Sequence, residues 1–213
     1  MRDTDNIIEL FEDESRPMTK SERTRLKIMA SAAKVFNEKG FDSTSIQDIA
    51  DDAGIAKGTI YYYVEKKEDL LLLLIRFGKA HLFSKIEKGI EKAATASEKI
   101  EVIIRNHLSI MKTVGPVIPF FAQSLTSNDS RVREIMTGFR REYLDLLESI
   151  IEEGIQLGEF RRVDPGRAAV AILGLVVGQV LQYKLFTGKI NVKEILETTM
   201  DVAVSGLRQA HED

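Results

Sequence analysis

The sequence predicts an all-α protein: a three-helix N-terminal head with a helix-turn-helix, followed by a larger helical body, about nine helices in total. Apolar residues recur at helical spacing along most of the 213 residues, and no convincing run of strand-like alternation interrupts them. Capping residues and glycines mark where successive helices begin and end. A hydrophobic content of 44% is enough to bury one or two cores.

The first helix is predicted from its cap. Residues 1–17 are acidic and end at Pro17, so we expect a disordered extension there, with docking as one helical turn as the alternative. Thr19 and Glu22 are spaced as a capping box for a helix over residues 20–39. Gly40 ends this helix.

Two short helices joined by a tight turn are predicted between residues 44 and 67. Thr44 is expected to cap the first, with Gln47 completing a capping box. Gly54 ends it, because glycine reaches a left-handed backbone at the lowest cost. The second helix is expected over about residues 56–64, with its apolar side facing inward. The head therefore spans residues 18–66 and the body residues 67–213.

The outer side of the second helix carries residues suited to DNA. A helix-turn-helix places the N-terminal residues of its second helix against base edges in the major groove. Three consecutive tyrosines cannot all face a core on one short helix, so at least one must be exposed. We predict DNA contacts from these residues: Thr44, Ser45, Lys57, Gly58, Thr59, Tyr61, Tyr62, Tyr63 and Lys67.

The run GFDSTSIQDIADDAGIAKGTIYYYVEKKEDLL, residues 40–71, closely resembles the DNA-binding signature of the TetR family of transcriptional regulators. The shared pattern is Gly-aromatic, a Thr/Ser pair, Ile-Ala, Ala-Gly-hydrophobic, Lys-Gly-Thr-hydrophobic-Tyr and a closing Lys-Glu. Ala56 stands where the family usually has Ser or Thr, so we expect a missing side-chain cap there. Val64 replaces the usual Phe, and Lys66 replaces a Ser or Asn.

Charge is distributed unevenly along the chain. Residues 17–67 carry nine basic and seven acidic residues, whereas residues 1–16 carry two and six, and residues 68–213 carry nineteen and twenty. The only positive segment is therefore the one that contains the helix-turn-helix, as expected of a DNA-binding head.

The body is expected to be helical throughout. Ser97, Asp129, Asp164 with Pro165, and Asn191 are candidate helix starts. The predicted body helices cover about residues 67–93, 98–113, 129–158, 165–187 and 192–209, with a short segment that starts at Pro119 between the second and the third.

The last two helices point to self-association. Residues 165–187 are apolar nearly all round, so this helix must be covered. The resemblance implies a homodimer with a four-helix interface from the last two helices, 165–187 and 192–209. The longest uninterrupted apolar run, residues 168–178, is too short to cross a bilayer, and we expect no membrane partner.

The resemblance also implies that the body binds an effector, and large apolar residues of its middle helices are candidates to line the site. For each of them, ordinary core packing is the alternative. A lining that is mostly aliphatic and phenylalanine favours a fatty acid or acyl thioester. The candidates for the lining are Met111, Phe120, Phe121, Met136, Phe139, Tyr143 and Leu147. The candidates for polar contacts are His81, His107, Gln179 and Tyr183.

Together these features predict a homodimeric repressor that binds a palindromic operator and is released by a small hydrophobic inducer. The alternatives are a helical protein-interaction module without specific DNA binding and a TetR-like activator. The three histidines are far apart in the sequence and there is no cysteine, so we expect no enzyme, no metal and no cofactor. The absence of cysteine and of a signal sequence suits the cytoplasm.

Overall fold

The computed structural model describes residues 18–114, 130–188 and 191–208. These ranges form eight α-helices and no β-strand; one isolated bridge joins Phe160 and Arg208. The predicted all-α class is confirmed. The helices are α1 (Lys20–Lys39), α2 (Ile46–Ala53), α3 (Lys57–Tyr61), α4 (Lys67–Ile90), α5 (Ala96–Val114), α6 (Ser130–Gln156), α7 (Pro165–Thr187) and α8 (Val192–Thr199).

The described chain divides into two compact units. Of the described residues, the head unit contains 18–81 and 130–136, and the body unit contains 82–114, 137–188 and 191–208. Two helices, α4 and α6, contribute residues to both units.

The head core forms where α1 packs on α2 and α3. Buried apolar residues from all three helices and from the start of α4 make one cluster. Ile60 and Val64, predicted to face inward, are 0% and 5% exposed. Among the other members are Met29, Phe36, Ile49, Ala50 and Leu70.

The helix starts in the head show one confirmed and one wrong prediction. Thr19 and Glu22 form the predicted capping box of α1. The capping box of α2 is formed by Ser45 and Asp48, one residue later than predicted. Thr44 is buried instead, and its hydroxyl donates to the Gly40 carbonyl oxygen at 2.7 Å. The Thr44 side chain therefore stabilises the turn after α1 and does not cap α2.

The second helix of the helix-turn-helix is shorter than predicted. α3 has only five residues, and Ala56 at its start provides no side-chain cap, as expected from the departure at that position. Beyond α3, the N–H groups of Tyr63 and Val64 both donate to the Ile60 carbonyl oxygen, at 2.9 and 3.1 Å. Gly54 ends α2 with a left-handed backbone, φ +61°.

In the body unit, α5 begins beside a carboxylate. The backbone N–H groups of Ala96 and Ser97 donate to the two Glu159 carboxylate oxygens at 2.7 and 2.8 Å. An anion at a helix N-terminus satisfies free N–H groups and complements the helix dipole. Ser97 lies inside the first turn of α5, so its prediction as the N-cap was wrong.

The C-terminal segment departs from the continuous helix predicted over residues 192–209. α8 ends at Thr199 and continues as a π-helical turn, Met200–Val204, and a 3-10 turn, Ser205–Leu207. Arg161 holds this end, because its backbone N–H donates to the Leu207 carbonyl at 2.8 Å and its Nε donates to the Gly206 carbonyl at 2.9 Å. These tertiary bonds compete with regular α-helical geometry.

α7 has the predicted ends. The Asp164 side chain accepts from the Arg167 N–H at 2.9 Å, and Gly188 ends the helix at φ +71°. Among the described residues, α7 alone is long and apolar enough, by length and composition, to cross a membrane. The length of the uninterrupted apolar run therefore did not reveal that the whole helix is long and apolar enough. A helix covered by protein can have the same composition.

Two glycines on α6 give a matched test of the packing. A Cβ on Gly154 would lie 2.3 Å from Phe160 Cδ2 and 2.9 Å from Ala96 Cβ, whereas a Cβ on Gly138 meets nothing within 4 Å. We expect Gly154→Ala to lower the free energy of unfolding by about 1–3 kcal/mol through overpacking. Gly138→Ala should raise it by about 0.5–1 kcal/mol, because alanine favours helix over glycine.

Urea unfolding of both variants and the parent chain at one protein concentration measures this difference. Loss of stability in both variants, or in neither, would contradict the packing described around Phe160.

Candidate nucleic-acid interface and effector-binding residues

The outer face of α3, which here includes Tyr62 at its C-terminal cap, is open. Tyr62 is 82% exposed and Tyr61 49% exposed, which confirms that the three tyrosines do not share one core. Lys57 is exposed, with its Nζ 6.0 Å from the centroid of the Tyr61 ring, and Thr59 is half-buried. Hydroxyl, methyl and ammonium groups thus occur together on one short surface, and all three can contact DNA.

Gly58 lies in the middle of this face. Its backbone is not in the left-handed region, and a Cβ built on it meets nothing within 4 Å. Neither backbone conformation nor packing within the described chain therefore requires glycine here. A glycine on an exposed helix face suits the close approach of another molecule to the backbone.

Tyr63 faces the protein. Its hydroxyl lies 3.1 Å from Ser21 Oγ on α1, and its ring packs against the head core. The ring also meets that of Tyr62 edge-on, with centroids 5.3 Å apart. Tyr63 therefore ties the end of α3 to α1 and supports Tyr62 from behind.

Three other predicted DNA contacts have structural partners. Lys67 Nζ donates to the carbonyl oxygens of Phe41 and Asp42, at 2.6 and 3.3 Å, and lies 4.5 Å from the Phe41 ring centroid. Ser45 caps α2. The buried side chain of Thr44 corrects its prediction as a DNA contact, because its hydroxyl already serves the turn after α1.

Ion pairs join α1 to α2. Lys34 pairs with Asp52, and Lys39 pairs with Asp48. The Lys39 ammonium, together with the hydroxyl and backbone N–H of Ser45, holds the pKa of the Asp48 carboxyl well below its ordinary range. Asp48 was not among the predicted capping residues, although the Ser-x-x-Asp spacing at residues 45–48 is a capping signal.

The body unit contains a cluster of aromatic rings, in which His107 and Tyr143 are buried and Phe83 and Phe139 are half-buried. His107 Nδ1 lies 3.0 Å from the Tyr143 hydroxyl oxygen, and the two side chains are 2% and 1% exposed. The Phe139 ring lies 6.2 Å from Tyr143 and 6.1 Å from Phe83, between centroids. Phe83 was not among the predicted residues, although it lies on α4 two positions after the predicted His81.

Burial determines the charge of this pair. Desolvation lowers the pKa of His107 to about 4 and raises the pKa of Tyr143 above its ordinary value. Both side chains are therefore neutral at pH 7. The cluster offers an apolar, uncharged surface with one polar pair.

The other predicted effector residues are dispersed. Leu147 is fully buried one turn after Tyr143, and Met111 is half-buried on α5. Met136 belongs to the head unit, where it packs against a cluster of Leu71, Leu72, Ile75 and Val132. His81, half-buried, is also in the head unit. Phe120 and Phe121 lie outside the described residues.

Two predicted residues link α7 to α8. Gln179 Nε2 donates to Thr199 Oγ1 at 3.0 Å and to the Leu175 carbonyl at 3.3 Å. The Glu194 carboxylate accepts a hydrogen bond from Tyr183 and raises the pKa of that phenol. These contacts give both side chains a packing role.

A three-helix head with a short exposed second helix in its helix-turn-helix, together with a separate helical unit, is the architecture of a helix-turn-helix transcriptional regulator. Residues 28–74 match the sequence profile described as bacterial regulatory proteins, tetR family. Residues 93–207, more than half of the chain, match the profile described as tetracyclin repressor-like, C-terminal domain. The chain therefore belongs to the TetR family and is a ligand-responsive DNA-binding repressor of that type.

Relatives extend along most of the chain. The fatty acid metabolism regulator protein of Bacillus subtilis (strain 168) is 28% identical over 183 residues, which cover 85% of this chain and 94% of the relative. The crystal structure of FadR from Bacillus subtilis in complex with stearoyl-CoA superposes with a TM-score of 0.75 at 28% identity, covering 86% of this chain and 99% of that one. The repressor KstR2 of Rhodococcus jostii (strain RHA1) is 22% identical over 192 residues, 88% of this chain and 92% of the relative.

Exposure makes the outer face of α3 testable without disturbing the fold. We expect Tyr62→Ala to weaken operator binding by about 1–3 kcal/mol and to leave the melting temperature unchanged. Gly58→Ala should also weaken operator binding, while stability stays equal or rises, because alanine adds helix propensity. Fluorescence anisotropy with a labelled operator and thermal unfolding measure the two effects.

Tyr63→Phe gives the comparison with a supporting side chain: it removes the hydroxyl that contacts Ser21 and leaves the solvent-facing surface intact, so it should weaken operator binding less than Tyr62→Ala. Full operator affinity in both Tyr62→Ala and Gly58→Ala would place the DNA-binding face elsewhere.

The buried histidine predicts a pH dependence. The pKa of His107 is about 4 in the folded chain and about 6.5 in an unfolded one. Between these values the unfolded state takes up a proton and the folded state does not, so stability falls as pH drops from about 6.5 to 4. The loss attributable to His107 is up to about 3 kcal/mol.

Urea unfolding at several pH values compares the parent chain with His107→Gln, which retains a hydrogen-bonding side chain without the titration. The variant should lose less stability over this pH range. An equal loss in both proteins would show that the pKa of His107 is not lower in the folded state than in the unfolded state.

Proposed function

We propose that this repressor acts as a homodimer, binds a palindromic operator through α3 of each copy and is released by a long-chain acyl thioester. The exposed face of α3, with Lys57, Gly58, Thr59, Tyr61 and Tyr62, is the observation that carries the proposal. Neighbouring exposed aromatic side chains are typical of an interaction site. Thr59 adds a hydroxyl and a methyl group, and Gly58 leaves room for a partner to approach the backbone.

The exposed side of α7 supports the homodimer. Val170, Gly174, Val177, Leu181 and Leu185 are spaced three or four residues apart and form one apolar stripe. Val177 is 46% and Leu185 66% exposed in the single chain. Val202, 61% exposed, adds an apolar residue from the segment after α8. Burying this stripe against a second copy would remove it from water and pair the heads around a two-fold axis.

The body cluster supports an acyl effector. His107 and Tyr143 are neutral, and Phe83, Phe139 and Leu147 are apolar. This composition suits a hydrocarbon chain and disfavours a cation, which would need a buried carboxylate. The Bacillus subtilis relative was crystallised with stearoyl-CoA. Acyl thioesters of that length are therefore the first effectors to test.

The proposed mechanism is a two-state one. An effector that binds one arrangement of the body more tightly shifts the population towards it. This shift moves α4, the helix that begins at Lys67, and so changes the distance between the two α3 helices. The two α3 helices then no longer fit one operator. As a repressor of bacterial genes, the protein would act in the cytoplasm.

An operator-release experiment tests the proposal. A genomic fragment retarded by the protein is shortened to a palindromic site, labelled, and titrated with stearoyl-CoA. We expect stearoyl-CoA to weaken operator binding about 5- to 150-fold, the usual range of coupling between two sites. Coenzyme A alone should have no effect, because it lacks the hydrocarbon chain.

Two outcomes would contradict parts of the proposal separately. Failure to retard any specific fragment, including the region upstream of its own gene, would contradict the operator. If the protein retards a specific fragment and saturating stearoyl-CoA does not weaken this binding, the proposed effector is wrong and the proposed operator binding still stands.

A further inference from the structure

The Asp69 carboxylate holds two separate segments of the head unit. Its Oδ2 accepts from the backbone N–H groups of Glu65 and Lys66, each at 3.1 Å. Its Oδ1 accepts from Arg131 Nη1, at 3.0 Å. Glu65 directly follows Val64, which packs into the core beneath α3. One side chain therefore fixes the turn after α3 and also binds the first turn of α6.

An apolar contact backs this ion pair. Val132, next to Arg131, is 2% exposed and packs with Leu71, Leu72 and Ile75 of α4. The side chains of Asp69 and Arg131 are 20% and 45% exposed, so water screens the pair only in part. Although burial alone would raise the pKa of Asp69, hydrogen bonds from Lys66, Arg131 and Glu65 lower it overall.

The same helix carries residues of the body cluster. α6 is continuous from Ser130 to Gln156. Its residues 130–136 belong to the head unit, and Phe139 and Tyr143 belong to the body unit. Tyr143 lies eleven residues after Val132, about 16 Å along a helix axis. An α-helix transmits a shift or rotation over that distance, because its backbone hydrogen bonds keep it stiff.

We propose that the Asp69–Arg131 pair, backed by Val132, is the contact through which an effector in the body controls the position of α3. The proposal rests on the effector-responsive function proposed above. Asp69 and Arg131 are positioning residues in it, since they act on the turn at Glu65 and Lys66 and touch neither DNA nor effector. The contact belongs to one of the two states, so losing it changes their relative population.

Four single variants test this role. Arg131→Gln removes the charge and keeps the length of the side chain, and Arg131→Lys keeps the charge. Asp69→Asn keeps an acceptor for the two N–H groups and weakens the ion pair. Arg133→Gln removes the same charge from an exposed position on the same turn of α6, and serves as the control.

We expect Arg131→Gln to change the operator Kd, without effector, by about threefold to tenfold relative to Arg133→Gln. Arg131→Lys should restore the Kd to within about twofold of the parent value. The slope of log Kd against log salt should stay unchanged, because a lost phosphate contact would reduce it by about one. The stearoyl-CoA concentration for half release should also shift, because the two equilibria are linked.

Asp69→Asn distinguishes the loss of the ion pair from the effect of removing one negative charge from the head. Removing an acidic charge from a DNA-binding head strengthens DNA binding if charge alone matters. If the ion pair sets the position of α3, Asp69→Asn changes the Kd in the same direction as Arg131→Gln. The double variant should then differ from Arg131→Gln alone by less than twofold, since the pair is already broken.

An operator Kd of Arg131→Gln within twofold of Arg133→Gln would overturn the proposal, whatever the response to stearoyl-CoA. Opposite shifts in Asp69→Asn and Arg131→Gln would also overturn it. If Arg131→Gln and Asp69→Asn shift together but the parent protein ignores stearoyl-CoA, the contact is supported and the proposed effector is contradicted. Circular dichroism melting excludes unfolding as the cause, with Arg131→Lys as the variant that keeps the fold if glutamine does not.

Discussion

DNA binding depends on α3, a helix that is not stable without contacts from the rest of the head. α3 has five residues and no side-chain cap, and helices of that length are unstable in isolation because nucleation costs more than one turn returns. Its position comes from outside: Ile60 is buried in the head core, Tyr63 reaches Ser21 on α1, and Asp69 fixes the turn that follows. The DNA-binding surface is therefore well defined only when these contacts hold α3 in one position.

This constraint divides the conspicuous residues of the head into two groups. Tyr63, Thr44, Ser45 and Lys67 build the support, since each has hydrogen-bond partners within the head. Lys57, Gly58, Thr59, Tyr61 and Tyr62 remain on the outer face. A helix that is positioned by contacts from other elements moves when those contacts change, which suits a repressor that must release DNA when its effector binds.

The sequence predicted the helices well and the roles of individual side chains less well. Caps and glycines located α1 and α7, because their signals are local. Thr44 and Ser45 are both suitable N-caps for α2. Ser45 is the cap because the Thr44 hydroxyl donates to the Gly40 carbonyl oxygen, a contact that local sequence does not reveal. In the body, periodicity placed Met136 and Phe139 on one helix but did not show that they pack in different units. The contact of Asp69 with Arg131 spans 62 positions, and no local pattern reveals it.

A structure of the protein bound to its operator tests the central claim most directly. The account predicts two copies on one palindrome, with Thr59 and Tyr62 of each α3 at base edges in successive major grooves and Gly58 close to the DNA. Tyr63 should remain against Ser21, and Thr44 should make no DNA contact. A complex in which α3 lies away from the grooves, or in which Tyr63 leaves α1 to bind DNA, would contradict it.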